Sequence, residues 1–170
     1  MRPWRRSRWP IYCAAWNHEV SAKGPLAGRR ARSLARRLAV QALYQMQINP
    51  RPWQDTHQQF AADREAERID REYFRELITG IATNRESLDL HIARLSEIAP
   101  AELDPVEHAV LWLGLHELRS CPDLPYRVAL AEAVQLTKQF GATDGHKFVN
   151  AVLDRAAREL RPLEYGEALE

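Results

Sequence analysis

The stretch DPVEHAVLWLGLHELRS, residues 104–120, opens on an aspartate and a proline and then runs apolar almost without interruption. Asp104 suits an N-cap, where a carboxylate accepts from orphan amides, and Pro105 suits the first helical position, where no donor is needed. Val106, Ala109, Val110, Leu111, Trp112, Leu113, Leu115 and Leu118 spread around the helical wheel instead of along one stripe. A helix apolar nearly all round is a buried one. This one is far shorter than the roughly 20 residues that span a bilayer, so other helices of the same chain must cover it. The stretch therefore predicts an all-α protein packed around a buried central helix.

Upstream, a helix is predicted from Gly28 to Ile48. Ala31, Leu34, Ala35, Leu38, Ala39, Ala42 and Met46 share one half of its wheel, while Arg29, Arg32 and Arg36 form a stripe on the other half with Arg30 and Arg37 beside them. One half is expected to pack and the other to present guanidinium groups. Asn49, Pro50 and Pro52 end the helix. A weaker helix follows over Gln54–Ala62, and the charged AADREAER segment reads as a loop or a solvated continuation. Asp70 then caps a long helix with Phe74, Leu77, Ile78, Ile81, Leu88, Ile92 and Leu95 at spacings of three or four, bent at Gly80 or near Thr83 and Asn84. Downstream of the hub, Leu130, Ala133, Val134, Thr137 and Phe140 mark a helix that stops at Gly141, a candidate left-handed cap. Thr143 or Asp144 caps the last long helix, which carries Phe148, Val149, Val152, Leu153, Ala156 and Leu160 and is limited by Pro162. About seven helices in all are expected.

The chain's 170 residues suffice for one good core and no second ordinary domain. Its net charge of +1 hides an asymmetry: residues 1–37 hold ten Lys and Arg against the single acid Glu19, net +9, leaving 14 bases against 22 acids, net −8. That pattern suits a basic arm for a polyanion on an acidic body. Residues 1–27 read either as a disordered basic extension or as sequence upstream of the true start, with Val20 as the alternative initiator. Residues 28–163 form the helical domain, and 164–170 a loose tail. Cys13 and Cys121 belong to no CxxC or Cys/His cluster, so neither a disulfide framework nor a metal site is signalled, and a reducing cytoplasm is the simpler setting. No apolar run approaches membrane length.

A catalytic reading finds no phosphate loop, nucleophile elbow or HExxH, and no cofactor is implied. His116 inside the hub reads as a hydrogen-bonded core histidine. His146, in TDGHKF beside Asp144 and Lys147, is either part of a structural cap or a ligand contact. The arginines carry the sharper signal. A solvated helix face normally mixes charge signs, yet no acid stands between Lys23 and Asp55, and guanidinium groups both fork onto phosphate oxygens and stack on unpaired bases. Nucleic-acid binding follows, without a choice between RNA and DNA.

Five blocks now carry a resemblance: LAVQALYQ (38–45), YFRELITGIATN (73–84), VEHAVLWLGLHEL (106–118), LPYRVALAEAVQLTKQFG (124–141) and HKFVNAVLDRAA (146–157). Together they resemble the NusB family of transcription antitermination factors over about residues 29–161. The resemblance implies an all-α fold of two small helical bundles and a non-enzymatic role. Implied partners are single-stranded boxA RNA, the small-subunit ribosomal protein NusE, and the RNA polymerase antitermination complex that makes ribosomal RNA. By the same resemblance Arg32 and Arg36 match basic positions of an RNA-contacting first helix, with Arg30 and Arg37 added here. Asp144, His146, Lys147 and Phe148 match a loop and helix start that lie along the RNA, and Tyr44 and Glu107 match positions implicated in antitermination, Glu107 through the NusE surface.

Ser33 and Leu34 stand where the family often adds basic residues, and Trp112 and His116 replace the more usual Arg and Tyr of the hub. Two other classes compete: a purely protein-binding helical adaptor, and the detached NusB-like part of a ribosomal RNA methyltransferase, which would need a methyl-donor domain supplied by another chain.

Overall fold

The computed structural model describes residues 25–167, so the readings made for residues 1–24 and 168–170 lie outside the described residues. Eight α-helices follow one another within it. They are α1 (Pro25–Ile48), α2 (Trp53–Ala61), α3 (Arg71–Thr83), α4 (Arg85–Leu95), α5 (Pro105–Ser120), α6 (Tyr126–Phe140), α7 (Gly145–Leu160) and α8 (Pro162–Glu167), with short 3-10 turns at Arg64–Glu67 and Pro100–Glu102. No strand occurs among the described residues. The first turn falls in the segment predicted as a loop.

Helix α5 is the hub. It packs against α1, α3, α4, α6 and α7, so that α1, α2 and α3 form one bundle against it and α4, α6 and α7 the other. Twelve of its residues are buried, from Val106 to Leu118. Asp104 caps it as predicted, accepting from the amides of Val106 at 2.9 Å and Glu107 at 3.4 Å. Trp112 is fully buried yet satisfied, because its indole N–H donates to Asp89 on α4 at 2.7 Å. The same carboxylate oxygen lies 2.6 Å from Nε2 of His108, and the Arg85 guanidinium sits 4.7 Å from the Trp112 ring. Burial works to raise the Asp89 carboxyl, but the hydrogen bonds from His108 and Trp112 hold it below its ordinary value. The tryptophan departure from the family pattern is thus matched by a local partner.

Three predictions need correction. The long helix from Asp70 is two helices: Asp70 accepts from the Tyr73 amide at 3.0 Å as expected, but the ladder breaks at Asn84, whose side chain donates back to the Gly80 carbonyl at 2.8 Å. Asn competes with the helix for backbone groups, and here the competition ends α3. Gly141 is not left-handed; its φ of −88° and ψ of −175° are extended. The position favours glycine for space, since a Cβ would come within 2.8 Å of both Cγ2 and the carbonyl oxygen of Thr137. Residues 164–167 of the tail expected to be loose belong to α8. Pro162 begins it, and Tyr165 docks, donating to Asp154 at 2.9 Å and accepting from Arg158 at 2.9 Å, while Glu164 accepts from the Tyr126 amide at 2.8 Å. Arg161 closes the hub's C-terminus by donating to the carbonyls of Leu118 at 2.8 Å and Cys121 at 2.7 Å. A cation is favoured at that end of a helix.

Candidate nucleic-acid interface

Helix α1 carries two arginine rows, and the fold sends them in different directions. In the row Arg29, Arg32, Arg36 the last two turn toward α3 and α5, and Arg29 is exposed. Arg32 remains exposed, but its Nε lies 3.4 Å from Asp70 and its guanidinium 5.1 Å from the Tyr73 ring. Arg36 is only 2% exposed. Its Nε donates to Glu117 at 2.7 Å and its Nη2 to the Tyr73 hydroxyl at 3.0 Å, with Glu132 at 3.8 Å. Tyr73 also donates to Glu117, which is wholly buried in the hub. Burial works against the Arg36 charge, but Glu117, Tyr73 and Glu132 together hold its pKa above the ordinary value. Burial also pushes the Glu117 carboxyl and the Tyr73 hydroxyl upward.

The expectation that Arg36 and Arg37 belong to an exposed stripe is therefore corrected. Helical spacing put them on the polar half of the wheel, but α1 is covered on more than one side, and its polar half meets acids and aromatics of α3, α5 and α6. Arg37 is 6% exposed, with its guanidinium 5.8 Å from the Phe140 ring at the end of α6. Ser33 is likewise engaged, donating to Glu132 of α6 at 2.8 Å.

The second row is Arg30, Arg37 and Tyr44, spaced by seven, which an α-helix keeps on one side with a drift of about 20° per step. Arg30 and Tyr44 are half-buried, and Tyr44 packs against the core. Phe140, under Arg37, leads through residues 141–144 to the start of α7. Asp144 stands at the N-cap, but its side chain makes no cap hydrogen bond; it pairs instead with Lys147 at 2.8 Å, both groups well exposed. The predicted side-chain cap is thus an exposed i,i+3 ion pair. His146 is half-buried, its Nδ1 enclosed and without a hydrogen-bond partner among the described residues, while Phe148 packs on the core.

Glu107 meets this segment directly. A Cβ on Gly145 would overlap the Glu107 carboxylate, so the first turn of the hub and the first turn of α7 touch only because residue 145 is glycine. Burial, and then Asp104, raise the Glu107 carboxyl above its ordinary value. Residues predicted from distant parts of the sequence, Glu107 and the Asp144–Phe148 segment, are thereby brought together, with the Arg30–Arg37–Tyr44 row leading toward them. Arg32 lies on the other flank of α1 and Arg36 in the core. Gly145 and Phe140 were missed from sequence; a glycine at a helix start was the only signal for the former.

Among the described residues, no group of three His, Cys, Asp or Glu side chains could hold a metal, and no helix is long and apolar enough to cross a membrane.

Residues 33–158 match the sequence profile described as the NusB family. The chain is 44% identical over 144 residues to the transcription antitermination protein NusB of Pseudomonas savastanoi pv. phaseolicola, covering 85% of this chain and 86% of that protein. It is 48% identical over 136 residues to the protein of that name from Escherichia coli O139:H28, covering 78% and 95% respectively. The T. maritima NusB structure superposes with a TM-score of 0.68 at 33% identity, covering 79% of this chain and 96% of that one. A NusB in a crystal structure with NusE and double-stranded RNA superposes equally well, TM-score 0.68, over 76% of this chain and 98% of that one; at 24% identity it speaks to the fold alone.

Proposed function

The chain belongs to the NusB family of transcription antitermination proteins, and from that membership we propose that it binds single-stranded boxA-type RNA together with the ribosomal protein NusE, supporting ribosomal RNA transcription in the cytoplasm. It is an antitermination factor and not an enzyme. The contact of Glu107 with Gly145 supports the reading most, because it makes the position matched to NusE binding and the segment matched to RNA binding one continuous surface. A partner that docks near Glu107 would then order the same turn that the RNA follows.

On this surface Arg30, Lys147 and His146 are the candidate RNA contacts, with Asp144 tuning the charge and Phe148 buttressing the turn from the core, while Arg32 faces Asp70 and Tyr73 on the other flank of α1. Arg36 and Arg37 support α1 from within. Guanidinium and ammonium groups supply affinity that falls with salt, whereas discrimination comes from base contacts, because phosphates are the same at every position. The test is fluorescence anisotropy of a boxA RNA and a scrambled strand, with and without NusE, at several salt concentrations. Preference for boxA that grows when NusE is added is the expected result. Equal, weak binding of both strands in the presence of NusE would leave a protein-binding adaptor instead.

A further inference from the structure

A cleft of about 730 Å³ opens on another part of the molecule, between α2, α3 and the C-terminal end of the hub. His116, which lines it, is 8% exposed, and its ring nitrogens make no hydrogen bond with any described residue. The predicted hydrogen-bonded core histidine is therefore a buried ring that makes no hydrogen bond to a described residue and meets the open cleft. Glycine at position 80 makes its placement possible, since a Cβ there would overlap the imidazole edge. Trp53 and His57 form an aromatic wall, His57 being stacked on Phe74 with ring centroids 5.5 Å apart. Cys121 completes the floor.

From this arrangement we propose that the cleft is a binding site for a small, neutral, planar nitrogen heterocycle of nucleobase size, recognised by hydrogen bonds to His116 and by the aromatic wall of Trp53 and His57. The cleft has ample room for such a ligand, lying within the roughly 300–1,000 Å³ of small-molecule sites. Neutrality follows from the charges on the walls. The Arg75 guanidinium at the cleft already donates to Glu72, and the remaining charged group, Glu76, would repel an anion. Burial keeps both His116 and Cys121 uncharged near neutral pH. An aliphatic ligand would leave the imidazole nitrogens enclosed without partners, whereas a heterocycle carries both an edge that satisfies them and flat faces for the aromatic wall. The site is separate from the surface of Arg30 and Lys147 and does not depend on the function proposed for it.

Adenine, uracil and inorganic phosphate, titrated separately into the full chain, provide the test, followed by amide shifts and by the ¹⁵N shifts of the histidine rings. Saturable binding of at least one base is expected, with shifts at His116 and at the Trp53 indole and none from phosphate. His116→Phe keeps a ring over Gly80 but removes its nitrogens and should weaken binding by about fivefold to tenfold, the equivalent of one lost hydrogen bond. Trp53→Ala, at a half-buried position, should weaken it independently, so a poorly folded His116 variant would not block the test. The proposal fails if neither base saturates at millimolar concentration or if both variants bind as well as the parent. It fails equally if binding is lost in Arg30→Ala with Lys147→Ala, which would place the base on the RNA surface.

Discussion

Removing Glu117 should destabilise the protein severely although nothing at its surface changes. Glu117 is 0% exposed and accepts from both Arg36 and Tyr73, and its second oxygen has no hydrogen-bond partner among the described residues. Glu117→Leu leaves the Arg36 guanidinium enclosed without its principal counter-charge. Breaking a buried pair from one side costs about 3–5 kcal/mol. Arg36 would keep its hydrogen bond to Tyr73 at 3.0 Å and the distant Glu132 at 3.8 Å, so the lower end applies. For a domain of this size, a loss of about 3 kcal/mol lowers Tm by roughly 6–12 °C. Arg36→Met should cost a similar amount at pH 7.5 but less at pH 5. Burial already raises the Glu117 carboxyl, and the arginine that opposes this would be gone. The folded state then binds a proton more readily than the unfolded one, so stability rises as pH falls.

The double variant Arg36→Met with Glu117→Leu replaces two charges by apolar groups and should recover most of the loss, with a coupling of about 2 kcal/mol or more. Urea unfolding followed by far-UV circular dichroism would measure all four members of the cycle. Two results would refute the reasoning: single variants that each cost under about 1 kcal/mol, the scale of an exposed pair, or a double variant whose loss is the sum of the singles.

In RNA titrations with NusE present, Arg30→Ala with Lys147→Ala should weaken boxA and scrambled strands about equally and flatten the log–log salt slope by about 0.7 per lost phosphate contact; an unchanged slope would show both groups to be solvated bystanders. Glu107→Lys should weaken NusE binding while lowering stability by only about 0.3–1 kcal/mol, the value of a carboxylate in the first turn of a helix. A collapse of Tm with intact NusE affinity in the folded fraction would make Glu107 structural. His116 has its pKa lowered, first by burial and then by Arg119, so below pH ~6.5 the unfolded chain binds the proton more readily and stability should fall, by at most ~1.4 kcal/mol per pH unit. His116→Phe should remove that component of the slope while leaving His57 and Glu76 at the same cleft in place; identical pH profiles would refute it.

The hub, the aspartate caps of α3 and α5 and the family were legible in sequence because they depend on local patterns. An Asp–Pro start, an all-round apolar run and a 3.6-residue period each act within one or two turns, and Asp104 and Asp70 cap where they were predicted to. What a helical wheel cannot say is how many sides of a helix are covered. Arg36 and Arg37 lie on the polar half of α1 by spacing alone, yet α3, α5 and α6 close over that half with Tyr73, Glu117, Glu132 and Phe140. A charge so placed is stable only because a matching acid arrives from 81 residues away. The meeting of Glu107 with Gly145 is of the same kind: it exists only in the packing of α5 on α7, and a missing side chain leaves no periodic trace. Local chemistry in the sequence therefore determined which helices form, whereas burial across helices, a long-range property, decided which arginines stay available to a ligand and which hold the fold together.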